Sequence, residues 1–288
     1  MAESKKIQES ISINNGFDLL TRSYQEHAIG QINLARYSVL YSRGFAEDLS
    51  EIFSNVKKSY FKSLAADNLK SSVKNGKELW ILITANNKLY GDIIIRTCQF
   101  FMRHLKLAKQ SKVDLVVIGN QGKRYLDESK INWPYQFIDV PDSNSNSEFL
   151  KELIMKLGLY ENIYVFYGKY NNLVSQMPVQ AALSGDLNIE SETNNNTQNN
   201  KQKYLFEPDI KEVVKFFENQ ILTLLLNQTV QEAQLARFAS RINAMESAQT
   251  NIHKQLEILK KQEKMLKIKN MNKKQTELLS GRKLWNKK

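Results

Sequence analysis

The chain is 288 residues long, 42% hydrophobic and 25% charged, and 41 Lys+Arg against 30 Asp+Glu leave a formal charge of +11. That is room for one or two globular domains. A single cysteine, Cys98, excludes a disulfide framework, the three scattered histidines (His27, His104, His253) lack metal-ligand spacing, and apolar runs of about five or six residues fall far short of the roughly 20 that span a bilayer. With no apolar stretch in MAESKKIQES, the expectation is a reducing cytosolic compartment and a protein that is soluble or at most peripheral to a membrane.

Residues 5–64 hold no proline and three glycines, and Ile7, Ile11, Leu20, Tyr24, Ala28, Leu34, Leu49, Phe53, Val56 and Tyr60 recur near helical spacing. One helix over this stretch would be about 90 Å long. Gly16, Gly30 and Gly44 each weaken it by roughly 1 kcal/mol relative to Ala, so bending or fraying is expected there. Two or three short helices of a bundle are the alternative.

The pattern then changes to short β-rich runs separated by helical ones. LWILIT (79–84) precedes a helical stretch around 91–109; VDLVVIG (113–119) and YQFIDV (135–140) precede a helix at 147–157; NIYVFYG (162–168) is followed by a strand candidate before Pro178 and by YLFEP (204–208). Alternation of this kind predicts a largely parallel sheet covered by helices, an α/β domain of Rossmann-like type. Residues 186–203, DLNIESETNNNTQNNKQK, contain no aromatic and two aliphatics, and read as a mobile loop.

From Asp209 to Ser280 there is neither glycine nor proline, a run of 72 residues rich in Lys, Glu, Gln, Leu and Ala. Such a run predicts a helix of about 108 Å, too long to lie on one globular core, so it must project. Its apolar residues Leu235, Phe238, Ile242, Met245, Ile252, Leu256, Leu259 and Leu266 form a narrow stripe of coiled-coil type, which requires a partner helix. The N-terminal stretch supplies one. The chain thus divides into an N-terminal coiled-coil helix over 1–66, a central α/β domain over 77–207, a C-terminal coiled-coil helix over 208–281 and a basic tail over 282–288.

The chemistry-bearing motifs are sparse. No G-x-G-x-x-G follows the first strand and no G-x-x-x-x-G-K-[ST] occurs; GNQGK at Gly119–Lys123 is too short to cradle phosphates and reads as an ordinary strand-end turn. Asp127 and Glu128 sit in polar, turn-like sequence, and no Ser or Cys nucleophile is linked to a nearby His. Charge is concentrated at the far end: residues 251–288 carry eleven Lys and one Arg against Glu257, Glu263 and Glu277, or 12 − 3 = +9. Nucleic-acid binding, a solvated helix face and insertion into an acidic protein cavity are the three readings. Trp285 is the only aromatic there, which weighs against base stacking, and the stripe is too narrow and polar for a membrane-surface helix.

Two long terminal helices around a central α/β domain resemble the gamma subunit of F-type rotary ATPases, and local motifs carry the likeness. YLFEPD at Tyr204–Asp209 is similar to the Y-x-x-E-P segment of that family. SRINAMESAQTN at Ser240–Asn251 resembles A-R-M-x-A-M-x-x-A-x-x-N, with Arg241, Ala244, Met245, Ala248 and Asn251 in register. TELLSG at Thr276–Gly281 looks like the closing T-E-I-[IV]-S-G, and ILITANNKLYG at Ile81–Gly91 like the L-x-x-I-T-S-x-x-G-L-C-G strand and turn. VVIGNQG and YGKYNNLVSQMP resemble later segments of the same domain.

The resemblance implies an antiparallel coiled coil threading a hexamer of alternating alpha and beta subunits, with the α/β domain as a foot. The chain would be a non-catalytic subunit, binding no cofactor itself; ATP and Mg would sit in the partner subunits. Thr21, Arg22, Met245, Asn251, Lys267, Thr276 and Glu277 would be shaft or hexamer contacts, and Arg237 and Arg241 foot contacts. An epsilon-like subunit and a proton ring would meet the foot, on the cytoplasmic side of the membrane, and nucleic acid is not an expected partner.

Departures from the family fall at those coupling positions. NNGFDLLTRSY replaces a basic N-T-x-K-I-T-K-A-M, keeping only Thr21 and a basic Arg22; Leu266-Lys267-Ile268 replaces A-R-Q; Arg237 stands where S-E-x-x-A-R-M has its acid; KLYGDII keeps only Gly91 of the first-strand turn; and RKLWNKK runs past Gly281. The alternative is therefore the shaft of an F-type-like ATPase paralogue driving a non-proton machine, such as a motility or cytoskeletal assembly in a cell-wall-less bacterium.

Overall fold

A computed structural model describes residues 2–64, 75–142, 151–184 and 210–285. The first stretch is one helix, α1, Ala2–Leu64, and the last is one helix, α5, Ile210–Trp285. Gly16, Gly30 and Gly44 lie inside α1 without interrupting it, and nothing stands within 4 Å of where a Cβ would be at any of them. They are not close-approach glycines, so their weakening of the helix is conformational entropy alone, and the helix-favouring residues around them outweigh it. The helix is continuous through all three, and the short-helix alternative is set aside.

The chain divides into two compact units, one of Met1–Ala28 with Arg241–Lys288 and one of Ile29–Ser240. In the first, side chains of α1 and α5 meet in antiparallel order: Gln25 accepts from Gln249 at 2.8 Å, Asp18 lies 2.9 Å from His253, and Gln8 donates to Glu263 at 3.4 Å. The covered seam of α1 runs Ser4, Ile7, Ile11, Asn14, Asp18, Thr21, Gln25, Ala28, alternating steps of three and four as a two-helix seam requires. Here the structure departs from the sequence reading. Leu20 is 54% exposed and Tyr24 40% exposed, while Asn14, Asp18, Thr21 and Gln25 take the seam. The apolar residues of α1 belong to two faces, and pooling them hid a seam whose middle is polar.

The second unit is a five-stranded sheet with helices on both faces. The strands are β1, Glu78–Ile83; β2, Val113–Ile118; β3, Tyr135–Ile138; β4, Asn162–Tyr170; and β5, Gln176–Ser184, in spatial order β3-β2-β1-β4-β5. The first four are parallel and β5 closes antiparallel to β4. Helices α2, Ile93–Leu105; α3, Asn120–Glu128; and α4, Lys151–Leu157, complete the layers. Leu79, Ile81 and Ile83 face one core with Leu153 and Leu157 of α4 and Leu226, Val230 and Ala233 of α5. Trp80 and Leu82 face the other with Cys98, Phe101 and Leu105 of α2 and Leu126 of α3. Burial on both faces is why LWILI reads as a continuous apolar run with no alternation.

Several boundaries differ from expectation. The strand near Pro178 extends through it, because β5 is an edge strand and needs no amide from that residue. Asp127 and Glu128 are helical, at the end of α3. The strand proposed at 204–208, the loop at 186–203 and the start of the 147–157 helix lie outside the described residues, as does much of the tail. Among the described residues no helix is long and apolar enough to cross a membrane.

Candidate functional site

In open α/β sheets, ligands bind beyond the carboxyl ends of the strands where the strand order reverses. Here the reversal flanks β1, whose neighbours are β2 and β4, and the segment after β1 would form the crevice. Its polar groups are already partnered within the chain. The Thr84 hydroxyl donates to the Ile118 carbonyl at 2.7 Å and accepts from the Gly122 amide at 2.9 Å. The Ala85 carbonyl accepts from the Gln121 amide and Asn86 Oδ1 from the Asn120 amide, both at 2.8 Å. The first three amides of α3, the groups that would hold a phosphate, are therefore occupied by the end of β1.

GNQGK is accordingly the start of a helix and not a plain strand-end turn. Gly119 caps α3 at φ +96°, and a Cβ there would lie 2.8 Å from the Ala85 amide nitrogen; one on Gly122 would lie 2.7 Å from Thr84 Oγ1. Both glycines serve close approach between β1 and the β2–α3 turn.

The remaining space over β1 is filled by α5. Arg237 Nη1 donates to the Thr84 carbonyl and stands 3.8 Å from Asp142 Oδ1. Asp142 is 8% exposed and Arg237 9% exposed, so this pair is taken out of water. The Asp142 carboxylate also accepts from the Asn86 amide at 2.9 Å, the Asn87 amide at 2.8 Å and the Tyr90 hydroxyl at 3.3 Å, while its carbonyl accepts from Gln234 Nε2 at 2.9 Å. Such saturation is what makes a buried ion pair tolerable. The guanidinium lies 5.9 Å from the Tyr90 ring centroid, and the same ring meets Phe238 edge-on at 5.9 Å.

Gly91 completes this clamp. It sits at φ +64°, and a Cβ on it would be 2.4 Å from Ser240 Oγ and 2.8 Å from the Ser240 carbonyl oxygen. We expect Gly91→Ala to lower stability by about 1–3 kcal/mol, read as a drop in the melting temperature of the full chain. An unchanged melting temperature would contradict the close approach of the β1–α2 turn to α5.

The residues singled out from sequence fall into distinct environments. Arg237 and Arg241, expected as outward foot contacts, are buried. Arg237 serves the clamp; Arg241, 5% exposed, lies with its guanidinium 5.7 Å from the Tyr24 ring in the helix pair. Met245 is buried in the seam. Thr21 is half-buried and donates to the Phe17 and Asp18 carbonyls of its own helix, and exposed Arg22 pairs with Asp18 at 3.0 Å. Lys267 pairs with Glu263 at 2.8 Å, where the lysine and a hydrogen bond from Gln8 hold the Glu263 carboxyl below its ordinary range. Asn251, Thr276 and Glu277 are exposed, and residues 267–280 of α5 are exposed throughout, including Met271 at 60% and Leu278 at 74%. Sequence reasoning missed Thr84, Asn86, Tyr90, Asp142 and Gln234. Asp142 and Arg237 lie 95 positions apart (237 − 142), and no local spacing joins them.

Elsewhere the reactive groups are structural. Burial pushes the Cys98 thiol up to about 12, leaving it an inert core residue. Among the described residues no three His, Cys, Asp or Glu side chains are grouped as metal ligands.

Comparison with known proteins agrees with this layout. The family model described as ATP synthase matches residues 4–282. The ATP synthase gamma chain of Polynucleobacter asymbioticus is 22% identical over 258 residues, covering 87% of this chain and 88% of that protein. That of Enterococcus hirae is 24% identical over 268 residues, covering 87% and 88%, and that of Mycoplasma capricolum 22% identical over 256 residues, covering 87% of each. Among solved structures, a chain of the Tetrahymena thermophila mitochondrial ATP synthase central stalk and c-ring aligns with a TM-score of 0.56 at 17% identity, over 80% of this chain and 99% of that one. One from the Euglena gracilis mitochondrial ATP synthase aligns at 0.52 and 13% identity, over 87% and 93%.

Proposed function

The chain belongs to the ATP synthase family, and from that premise we propose that it is the gamma-type central shaft of a rotary F-type ATPase, turning inside a hexamer of alpha and beta subunits as they hydrolyse or make ATP. The observation that carries this is the family match across residues 4–282, which takes in both long helices and the sheet between them. The sealed crevice over β1 supports a mechanical role for this chain, with ATP and Mg held by the partner subunits.

In this reading the helix pair of Met1–Ala28 and Arg241–Lys288 is the part that meets the hexamer. We assign Thr21, Arg22, Met245, Asn251, Lys267, Thr276 and Glu277 to it, Met245 by setting the seam and the others by lining the helices. Residues 251–288 carry 12 − 3 = +9, and within them the fully exposed stretch 267–280 offers 4 − 1 = +3 with Met271, Leu278 and Leu279 to an acidic cavity with apolar walls. Such an end is read sterically and electrostatically by what surrounds it, with a charge term that weakens as salt shortens the screening length. Arg237 is not assigned to a partner, because its guanidinium is held inside the chain. An epsilon-like subunit and a proton ring are the proposed partners of the α/β domain, on the cytoplasmic side and peripheral to the membrane.

The test is a tagged pull-down from native cells in mild detergent, with co-purifying subunits identified by mass spectrometry and ATPase activity assayed on the eluate and on the isolated chain. The expected result is alpha-like, beta-like, epsilon-like and ring subunits, with turnover in the complex and none in the isolated chain. A hexamer without ring subunits but with surface or cytoskeletal proteins would establish the repurposed motor. Recovery of no hexamer, or ATP turnover by the pure chain, would overturn the shaft reading.

A further inference from the structure

We propose that Arg237 is a positioning residue that fixes the rotational setting of α5 on the sheet, so that torque on the helix is delivered to the α/β domain through the Thr84 carbonyl and Asp142. This rests on the shaft reading above. The apolar contacts of Leu226, Val230 and Ala233 hold α5 against the sheet, but burial is non-directional and resists separation far better than it resists turning of a helix about its own axis. Directional constraints must come from polar groups. Arg237 and Gln234, three residues apart and so on one helix face, both end on the segments that leave the carboxyl ends of β1 and β3: the Thr84 carbonyl and the Asp142 carboxylate for Arg237, and the Asp142 carbonyl for Gln234.

Asp142 spreads the load. Through the Asn86 and Asn87 amides and the Tyr90 hydroxyl it ties the turn after β1 to the turn after β3, so a force on Arg237 reaches the backbone of two parallel strands at once. Gly91 against Ser240 and Tyr90 against Phe238 give the same turn a shape that fits one azimuth of the helix. The planar guanidinium can address a carbonyl and a carboxylate together, whereas an ammonium is a point charge without that fork. Tyr167 of β4, which donates to Glu232 of α5 at 2.9 Å, reaches the helix away from Asp142 and the end of β1 and serves as the internal comparison.

The experiment uses the assembled complex from native cells, immobilised through its hexamer. A bead is carried by K169C, at an exposed end of β4, and complexes without that cysteine control for labelling elsewhere. Unloaded ATP hydrolysis and rotation against the viscous load of a large bead are measured in the same preparations. For R237K and D142N the expected result is unloaded turnover within about twofold of the parent, as for changes outside the reacting groups, while loaded rotation falls about fivefold. Y167F should rotate the loaded bead as the parent does. The R237Q/D142N double variant, which leaves no unpaired buried charge, covers the case in which a single variant fails to assemble.

Loaded rotation at the parent rate in R237K and in the double variant would overturn the role of Arg237. Equal loss in Y167F would overturn it too, showing that any polar contact of α5 suffices. An ATPase-active parent complex whose bead does not turn would overturn the shaft reading itself, and the inference with it.

Discussion

Met245→Pro is expected to eliminate recovery of the hexamer with the tagged chain. Met245 sits 6% exposed in α5, between Arg241 and Gln249, whose side chains reach Tyr24 and Gln25 of α1. Proline there removes the amide that bonds to the carbonyl four residues earlier and drives its ring into that same carbonyl, at a cost of about 3 kcal/mol or more. Loss of the buried thioether adds a cavity term of about 2–5 kcal/mol, as for other large-to-small core changes. The bend falls where two antiparallel helices must stay side by side over several seam steps, so strain in α5 is felt along α1 as well. Met245→Leu is the control: it conserves volume, should change stability by less than about 1.5 kcal/mol, and should co-purify as the parent does. Co-purification of the proline variant at parental yield would show that the shaft does not depend on a continuous helix.

Phe166→Ala is expected to have a comparable effect by a different route. Phe166 is 0% exposed in β4 and joins the aromatic cluster of the sheet's second face, with ring centroids 5.1 Å from Trp80 and 5.0 Å from Phe101. Truncation removes the edge-on contact with Phe101 and the tilted one with Trp80 and leaves a void that a twisted sheet and α2 cannot both move to fill. Large aromatic-to-alanine changes in such cores cost about 3–5 kcal/mol. For a unit of this size that is roughly 10 °C or more of melting temperature. Circular dichroism melting of the full chain reads it directly. A shift of a degree or two would mean that the cluster relaxes around the gap and that this face of the sheet is loosely packed.

These two residues also show how differently parts of the fold are written in the sequence. Phe166 lies in an apolar run between Asn162 and Gly168 whose composition alone announces a buried strand, whatever its neighbours are. Met245 was found by periodicity, because steps of three and four place it on one side of any helix. Periodicity failed on α1 for a physical reason: the helix exposes Ile13, Phe17, Leu20 and Tyr24 while its seam carries Asn14, Asp18, Thr21 and Gln25. An apolar count cannot choose between two faces when the covered one is partly polar. Polar seam residues set register and direction through hydrogen bonds such as Gln249 to Gln25, at some expense in burial.

The clamp was hidden more completely. Arg237 stood out only as a reversed charge within a familiar segment, and the natural inference was an outward contact. The structure turns it inward, onto a carbonyl at the end of β1 and a carboxylate beyond β3. Its partner Asp142 follows an unremarkable Val140-Pro141 pair. Pairing them requires knowing that β1 and β3 end at the same edge and that α5 crosses there, which is a property of topology.

What the sequence by itself determined was therefore the two proline-free helices too long for any core and the apolar strands β1 to β5 between them, while α3 was read as a turn. Helix length and strand burial follow from local composition, which a single sequence carries in full. The tertiary structure alone decided which face of α1 is covered, which strand ends share an edge, and that the crevice over β1 is filled by the chain's own arginine. Each of these depends on groups far apart in sequence competing for the same small volume, and only packing the whole chain resolves that competition.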